Sequence, residues 1–227
     1  MLREWDKLPK SMRTEAVRPY YERLKKKKVS LALKRIFDVI ASSIMLVILS
    51  PLLLIISILI VTDSKGGVFY RQERVTQYGK KFRIFKFRTM VANADKIGTQ
   101  VTVSNDNRIT RIGAVIRKYR IDEIPQLFNI LLGDMSLVGT RPESVHYVKH
   151  YTPEMMATLL MPAGVTSEAS ILYKDEAELI DKADDVDRVY IEKILPDKMK
   201  YNLASIKKFS VIKDIKTMIR TVIAVVR

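Results

Sequence analysis

The hydropathy pattern divides the chain unevenly. Residues 1–33 are polar and basic, end in the run Lys25-Lys26-Lys27-Lys28, and read as a basic, solvated N-terminal tail. Val39 to Val61 then reads VIASSIMLVILSPLLLIISILIV, with no charge. At about 1.5 Å per residue, one helix of that length crosses a hydrocarbon core of roughly 30 Å. It starts too far along the chain for an ordinary signal peptide, and no small-residue cleavage site follows it. Length alone predicts a single-pass anchor. Two features favour instead a re-entrant helix over 34–62, broken at Ser50-Pro51. Pro51 has no N–H, and its ring crowds the preceding turn. Basic residues also flank both sides: Lys25 to Lys28, Lys34 and Arg35 before, and Lys65, Arg71, Arg74, Lys80 and Lys81 after. Such flanks prefer the cytoplasmic side, and a helix that leaves by the face it entered keeps both there. Asp38, at the entrance, is within reach of Arg35 as an ion-pair partner.

Beyond Asp63 the pattern becomes mixed. Asp63 to Gly67 is a turn. Val68–Arg71 and Phe82–Phe87 read as short strands, the second alternating apolar and basic residues. Residues 90–97 predict a short helix, 104–108 a loop and 112–119 a helix. Pro125–Leu132 is a helix with proline in its first turn and Gly133 past its end. Pro153–Met161 has the apolar face of a helix. From Tyr201 to the end, isoleucine, leucine and valine recur at helical spacing with Lys207, Lys208, Lys213, Lys216 and Arg220 between them. That basic amphipathic helix either packs on a core or lies on a membrane, and its basic face favours the membrane. A catalytic domain at 63–200 therefore sits between two lipid-facing segments.

Lys and Arg number 40 against 25 Asp and Glu, a formal charge of +15. The excess points to anionic partners. No zinc-finger or RNP-type pattern supports nucleic acid, and the apolar run favours a lipid surface. There is no cysteine, which excludes disulfides, thiolate metal sites and cysteine nucleophiles.

The densest candidate chemistry is RKYRIDEIPQLFN, residues 117–129. Pro125 disfavours helical geometry at Ile124, so Asp122 and Glu123 fall in the turn entering a helix. A helix start favours phosphate and holds a carboxylate ionised. An ionised aspartate can attack phosphorus, and a neighbouring glutamate can hold Mg²⁺. The plainer alternative is that both acids merely favour the helix dipole. Arg108, Arg111, Arg117, Arg120 and Arg141 offer forks for phosphate oxygens, or for surface ion pairs. Lys86 and Arg88 alternate with phenylalanine, as on a half-buried strand or on one that delivers two cations to a site. His146 and His150 have metal-ligand spacing but no third ligand beside them, and read as exposed or packed. Trp5, Tyr20 and Tyr21 suit local packing or an interface.

Taken together, KRIFDVIASS (34–43), the mid-run SP, VFYRQERV (68–75), GKKFRIFKFRTM (79–90), NRITRIGAVIRKYRIDEIPQLFNILLGDMSLVGTRPE (107–143) and LYKDEAELI (172–180) resemble the bacterial sugar transferases, or small monotopic phosphoglycosyl transferases. The resemblance implies an α+β, mainly helical, small membrane-associated catalytic domain with a re-entrant helix and amphipathic interfacial helices. It would lie on the cytoplasmic face of the bacterial inner membrane. The implied reaction moves a sugar-1-phosphate from a UDP-sugar to polyprenyl phosphate and releases UMP. Asp122 is the implied nucleophile of a covalent intermediate, Glu123 the Mg²⁺ ligand and Arg141 a phosphate contact. Lys86 and Arg88 fall in a second family motif, and Arg117 and Arg120 join them as phosphate-binding candidates. The product would initiate an exopolysaccharide or lipopolysaccharide and pass to downstream glycosyltransferases. Membrane lipids are further partners, a homodimer is left open, and nucleic acid is not expected. The alternative is an inactive membrane-anchored scaffold of polysaccharide assembly. The chain departs from the family pattern where Gly67, Thr140 and Ala163 replace proline and where Thr76 and Ser167 replace glycine. The Ala163–Glu168 stretch as a whole is altered.

Overall fold

A computed structural model describes residues 2–94, 106–173 and 185–226. The end of the expected 90–97 helix, the start of the 104–108 loop and most of LYKDEAELI lie outside the described residues. The elements are α1 (Arg18–Lys25), α2 (Lys28–Asp63), β1 (Phe69–Val75), β2 (Lys81–Phe87), α3 (Arg111–Lys118), α4 (Gln126–Leu132), β3 (Met135–Val138), α5 (Val145–Val148), β4 (Ala163–Thr166), α6 (Glu168–Leu172), α7 (Val186–Val189), α8 (Leu195–Lys207) and α9 (Val211–Val226). The fold is α+β and mainly helical. β1 and β2 form an antiparallel hairpin with Phe69 opposite Phe87, and β3 pairs with β4 in parallel.

α2 carries the apolar run, and Pro51 lies inside it without ending it. A proline at this position leaves the Val47 carbonyl without its N–H partner. Ser50 Oγ donates to that oxygen at 2.8 Å, so the serine of Ser-Pro replaces the missing donor. Along α2 the apolar face is bare: Val47 is 74% exposed, Ile48 69% and Leu54 63%. The two ends nevertheless hold one globular body. Arg35 donates to the carbonyls of Ile130 and Leu131, at 2.6 and 3.2 Å, where α4 ends. Asp63 accepts from the Ile112 amide at 3.0 Å, at the start of α3.

The pairing expected between Asp38 and Arg35 does not occur, because Arg35 is drawn to the carbonyls at the end of α4. Asp38 is buried, with Lys34 at 3.9 Å. It accepts from Ser136 Oγ at 2.7 Å and from the Leu137 amide at 3.2 Å. Lys34 also pairs with Asp214 of α9 at 2.6 Å. One buried charge network thus joins α2, β3 and α9.

Four sequence expectations change. Residues 1–33 do not form a solvated tail: Leu8, Met12, Val17, Tyr20, Tyr21 and Leu24 are buried in one core with Leu160, Ile206 and Phe209. Tyr21 also meets Trp5 edge-on at 5.0 Å. The single helix over 201–227 is two, separated at 208–210. α8 buries Leu195, Met199 and Ile206, whereas α9 leaves Ile212, Ile219 and Val222 exposed. Met155–Leu160 is a 3-10 helix, and Met90 makes an isolated bridge to Ile109 where the 90–97 helix was expected to begin.

Asp38→Ala should lower unfolding free energy by about 1–3 kcal/mol, because Ser136 Oγ and the Leu137 amide lose their buried acceptor while Lys34 keeps Asp214. Thermal unfolding in detergent, beside Asp38→Asn, measures the loss.

Candidate active site

The site begins with a backbone irregularity. α3 ends at Lys118, and Arg120 adopts the left-handed conformation at φ 55°, ψ 20°. This turn reverses the chain into a single 3-10 turn, Ile121–Glu123. The expectation that Pro125 expels Ile124 from helical geometry fails: Ile124 sits at φ −55°, ψ −38°. Pro125 lies at the N-cap of α4, where no N–H is needed, and the steric preference before proline yields to the tight turn. Gly133 closes α4 at φ 85° as expected.

Glu123 is gripped from two sides. Lys86 Nζ stands 3.0 Å from Oε1, and Arg141 donates both terminal nitrogens, at 2.5 Å to Oε1 and 3.2 Å to Oε2. Lys86 is delivered by β2, and buried Asn129 fixes that strand to α4. Its Oδ1 accepts from the Phe85 amide at 2.7 Å, and its Nδ2 donates to the Arg83 carbonyl at 3.0 Å. Arg141 is delivered by the loop after β3. There Gly139 and Gly164 cross so closely that a Cβ on Gly164 would stand 2.1 Å from the Gly139 amide nitrogen. The Gly164 amide donates to the Thr140 carbonyl at 2.9 Å. Proline would offer the same acceptor, so threonine at 140 leaves this pairing intact.

Glu143 anchors the far end of the loop and is buried. Tyr190 donates to it at 2.8 Å, and Lys198 lies 3.6 Å away while donating to the same Tyr190 at 3.0 Å. The sequence reading did not single out Tyr190, Lys198 or Asn129. Only the Asn129 contacts had a local signal, since it shares the block that holds the acidic pair.

Lys86, Glu123, Arg141 and Glu143 line a cavity of about 860 Å³ with Arg117, Arg120, Asp122 and Gln126. Asp122 makes no hydrogen bond or ion pair among the described residues. Its pKa is shifted up rather than held down at a helix start. Burial raises it, Lys86 draws it back and the Glu123 charge adds to the rise. For Glu123 burial also pushes upward, but Arg141 and Lys86 outweigh it and hold the carboxyl well below the usual range. Burial lowers the Lys86 pKa, against the pull of Glu123.

Arg88 lines the same cavity, with its guanidinium turned to the end of α2. Its guanidinium donates to the carbonyls of Ser64 and Lys65, at 2.8 and 2.6 Å, and so caps the end of α2. Arg117 lines the cavity and donates to Thr89 at 3.3 Å. Arg108 pairs with Asp106. His146 pairs with Asp187 at 2.7 Å. No group of three His, Asp or Glu residues that could hold a metal occurs among the described residues. An ionised Glu123 suits a hard cation, but both its oxygens carry donors. Glu123 is the residue here that could hold such a cation, once Lys86 and Arg141 pass from its oxygens to phosphate.

The model of the bacterial sugar transferase family matches residues 29–227. A UDP-N-acetylgalactosamine-undecaprenyl-phosphate N-acetylgalactosaminephosphotransferase of Aeromonas hydrophila is 37% identical over 193 residues, 84% of this chain and 43% of that protein. A UDP-glucose:undecaprenyl-phosphate glucose-1-phosphate transferase of Klebsiella pneumoniae is 35% identical over 200 residues, 86% of this chain and 40% of that protein. An exopolysaccharide production protein of Rhizobium leguminosarum bv. phaseoli is 45% identical over 118 residues, 52% of this chain and 59% of that protein. The matched region thus spans less than half the length of the first two relatives.

The two acids should affect stability with opposite signs. Asp122, with a raised folded pKa, destabilises the fold increasingly as pH rises through that value. Asp122→Asn should therefore raise the melting temperature at neutral pH, with the gain gone below the ordinary aspartate pKa. Glu123, with a depressed folded pKa, stabilises above the ordinary glutamate value and loses that contribution as pH falls through its folded pKa. Glu123→Gln should melt lower at neutral pH and converge on the parent in acid. Melting curves across pH check both signs.

Proposed function

Because the chain belongs to the bacterial sugar transferase family, we propose that it moves a sugar-1-phosphate from a UDP-sugar to polyprenyl phosphate. An Asp122 carboxylate oxygen attacks the phosphorus that carries the sugar. The bond from that phosphorus to the bridging diphosphate oxygen breaks, and UMP leaves with the bridging oxygen. A phosphate oxygen of the acceptor then attacks the same phosphorus and releases Asp122. The product is a polyprenyl-diphosphate-linked sugar, the first intermediate of a surface glycan.

The observation that carries this reading is the contrast within the acidic pair. Glu123 is committed to two cations, while Asp122 lines the same cavity with its carboxylate uncommitted. A carboxylate with a raised pKa is the stronger nucleophile once ionised, and it lies where Lys86, Arg117 and Arg141 meet phosphate charge. Glu123 would be the residue to hold Mg²⁺, whose bound charge would supply neutralisation of the donor diphosphate. The residues themselves orient the diphosphate and hold Arg141 in place through the Glu143 anchor.

We place the domain on the cytoplasmic face of the inner membrane, with α2 entering and leaving by that face. Both ends of α2 hydrogen-bond the same body, at Arg35 and Asp63. Phe37 and Ala41 pack in the cluster of Phe82, while Ile56 and Ile60 pack in that of Phe87. Those two phenylalanines lie on one strand, about 17 Å apart. Positions 37 and 60 of a straight helix would be about 35 Å apart, so a bend near Pro51 is supported. The bare isoleucine face of α9, with Lys213, Lys216 and Arg220 beside it, supports an interfacial position.

Asp122→Asn should reduce UMP release from a UDP-sugar by at least about a thousandfold, even without acceptor. Mass spectrometry of the active protein should find the phosphosugar on residue 122; an adduct elsewhere overturns the assignment. The chain has no cysteine, so single cysteines at Val29 and Lys65 report topology directly. Both should label only from the cytoplasmic side, and labelling from opposite sides means a spanning helix.

A further inference from the structure

A second cavity, of about 490 Å³, adjoins the first. One wall is a face of α2: Leu46, Ser50, Leu53, Leu54 and Ser57, at helical spacing across Pro51. The other wall is Phe69, Phe87, Pro125 and Phe128. Both serines turn their hydroxyls onto backbone carbonyls of α2, at 2.8 and 2.6 Å, and so present no free polar group. The aromatic wall is cohesive. Phe69 stacks on Phe87 at 5.6 Å and meets Phe85 edge-on at 5.9 Å, and Phe85 meets Phe128 at 5.8 Å. Phe69 and Phe128 remain 42% and 37% exposed, so the groove is open along its length.

Phe87 lines both cavities: one contact surface faces the charged site of Asp122 and Lys86, the other this apolar groove. Pro125, in the groove wall, follows the acidic pair by one turn. A molecule occupying both must therefore carry an anionic head and, directly behind it, a hydrocarbon tail. Lys86, Arg117 and Arg141 complement the head, and the aromatic and leucine walls complement the tail.

We propose that this groove is the binding site for the isoprene units of the acceptor nearest its phosphate. It aims the phosphate oxygen at the intermediate on Asp122 and lets the rest of the chain run out beside α2 into the bilayer. This rests on the reaction proposed above but concerns its second step alone, which makes the two separable.

Phe128→Ala removes part of the wall, and Leu54→Trp fills the groove from an exposed position. Both should raise the KM for a long-chain polyprenyl phosphate by about tenfold or more. UMP release without acceptor should stay within about twofold of the parent. An unchanged acceptor KM in both variants overturns the groove. A parent protein that releases no UMP overturns the reaction instead. A readout independent of turnover is photolabelling by a diazirine-bearing prenyl phosphate in phosphatidylethanolamine–phosphatidylglycerol vesicles. Adducts should fall on Phe69, Leu54 or Phe128, and unlabelled prenyl phosphate should suppress them. Adducts confined to Ile44 and Ile48, or equal suppression by added phosphatidylglycerol, would show an unselective lipid-facing surface and sink the proposal.

Discussion

The grip of Lys86 and Arg141 on Glu123 is the contact from which the site is built. Its three members come from three places: a strand, the turn after α3 and the loop after β3. No one of them can be placed without the others, because a buried charge left alone costs several kcal/mol. Each partner is brought in by a neutral device. Asn129 clamps β2 to α4 through two main-chain contacts, and the Gly139–Gly164 crossing lets the Arg141 loop close over the strand pair. The charged trio is therefore both the product of the fold and one reason the fold closes there. Asp122, beside it, has the opposite character: its carboxylate is tolerated by the fold rather than required by it.

A second set of buried charges, Lys34, Asp38 and Asp214, does for the membrane-facing elements what Glu123 does for the site. It ties α2 to β3 and α9, so the apolar helix is registered against the charged cavity rather than tethered to it. The Arg35 and Arg88 guanidinium groups complete this docking by bonding carbonyls at the ends of α4 and α2. Helix termini offer partial negative charge and unpaired oxygens, and arginine satisfies both needs at once.

Where features were legible in the sequence, the signal was local. The turn holding Asp122 and Glu123, the helix from Gln126 to Leu132 with its Gly133 cap, and the apolar run each declare themselves within one continuous stretch of sequence. Features closed by distant partners were not legible. Residues 1–33 looked solvated because lysine and arginine surround the few apolar positions, which become a core only when α8 and the 3-10 turn at 155–160 cover them. The break at 208–210 was invisible because apolar spacing runs through it without proline or glycine. Arg88 lines the cavity as its spacing from Lys86 suggested, but its bonds to the end of α2 come from residues more than twenty positions away and had no local signal. The role of Glu143 depends on Tyr190 and Lys198, more than forty residues away, which no local pattern connects to it.

The net charge of +15 was also a weaker guide than its magnitude suggested. Many of the cations are engaged in internal bonds: Arg35 and Arg88 on carbonyls, Lys34, Arg108 and Lys198 on carboxylates. What matters for phosphate is the smaller group whose charge reaches the cavity, and the dielectric they act in. Phe87 and its aromatic neighbours stand behind them and an apolar helix behind that, so water is thin on one side of the site. The same poor solvation that raises the pKa of Asp122 strengthens the pull of Lys86 and Arg141 on an incoming anion. In the proposed reaction, a charged cavity backed by an apolar wall would therefore supply both the reactive carboxylate and the phosphate site from one cause, at the boundary where a lipid-borne phosphate is met.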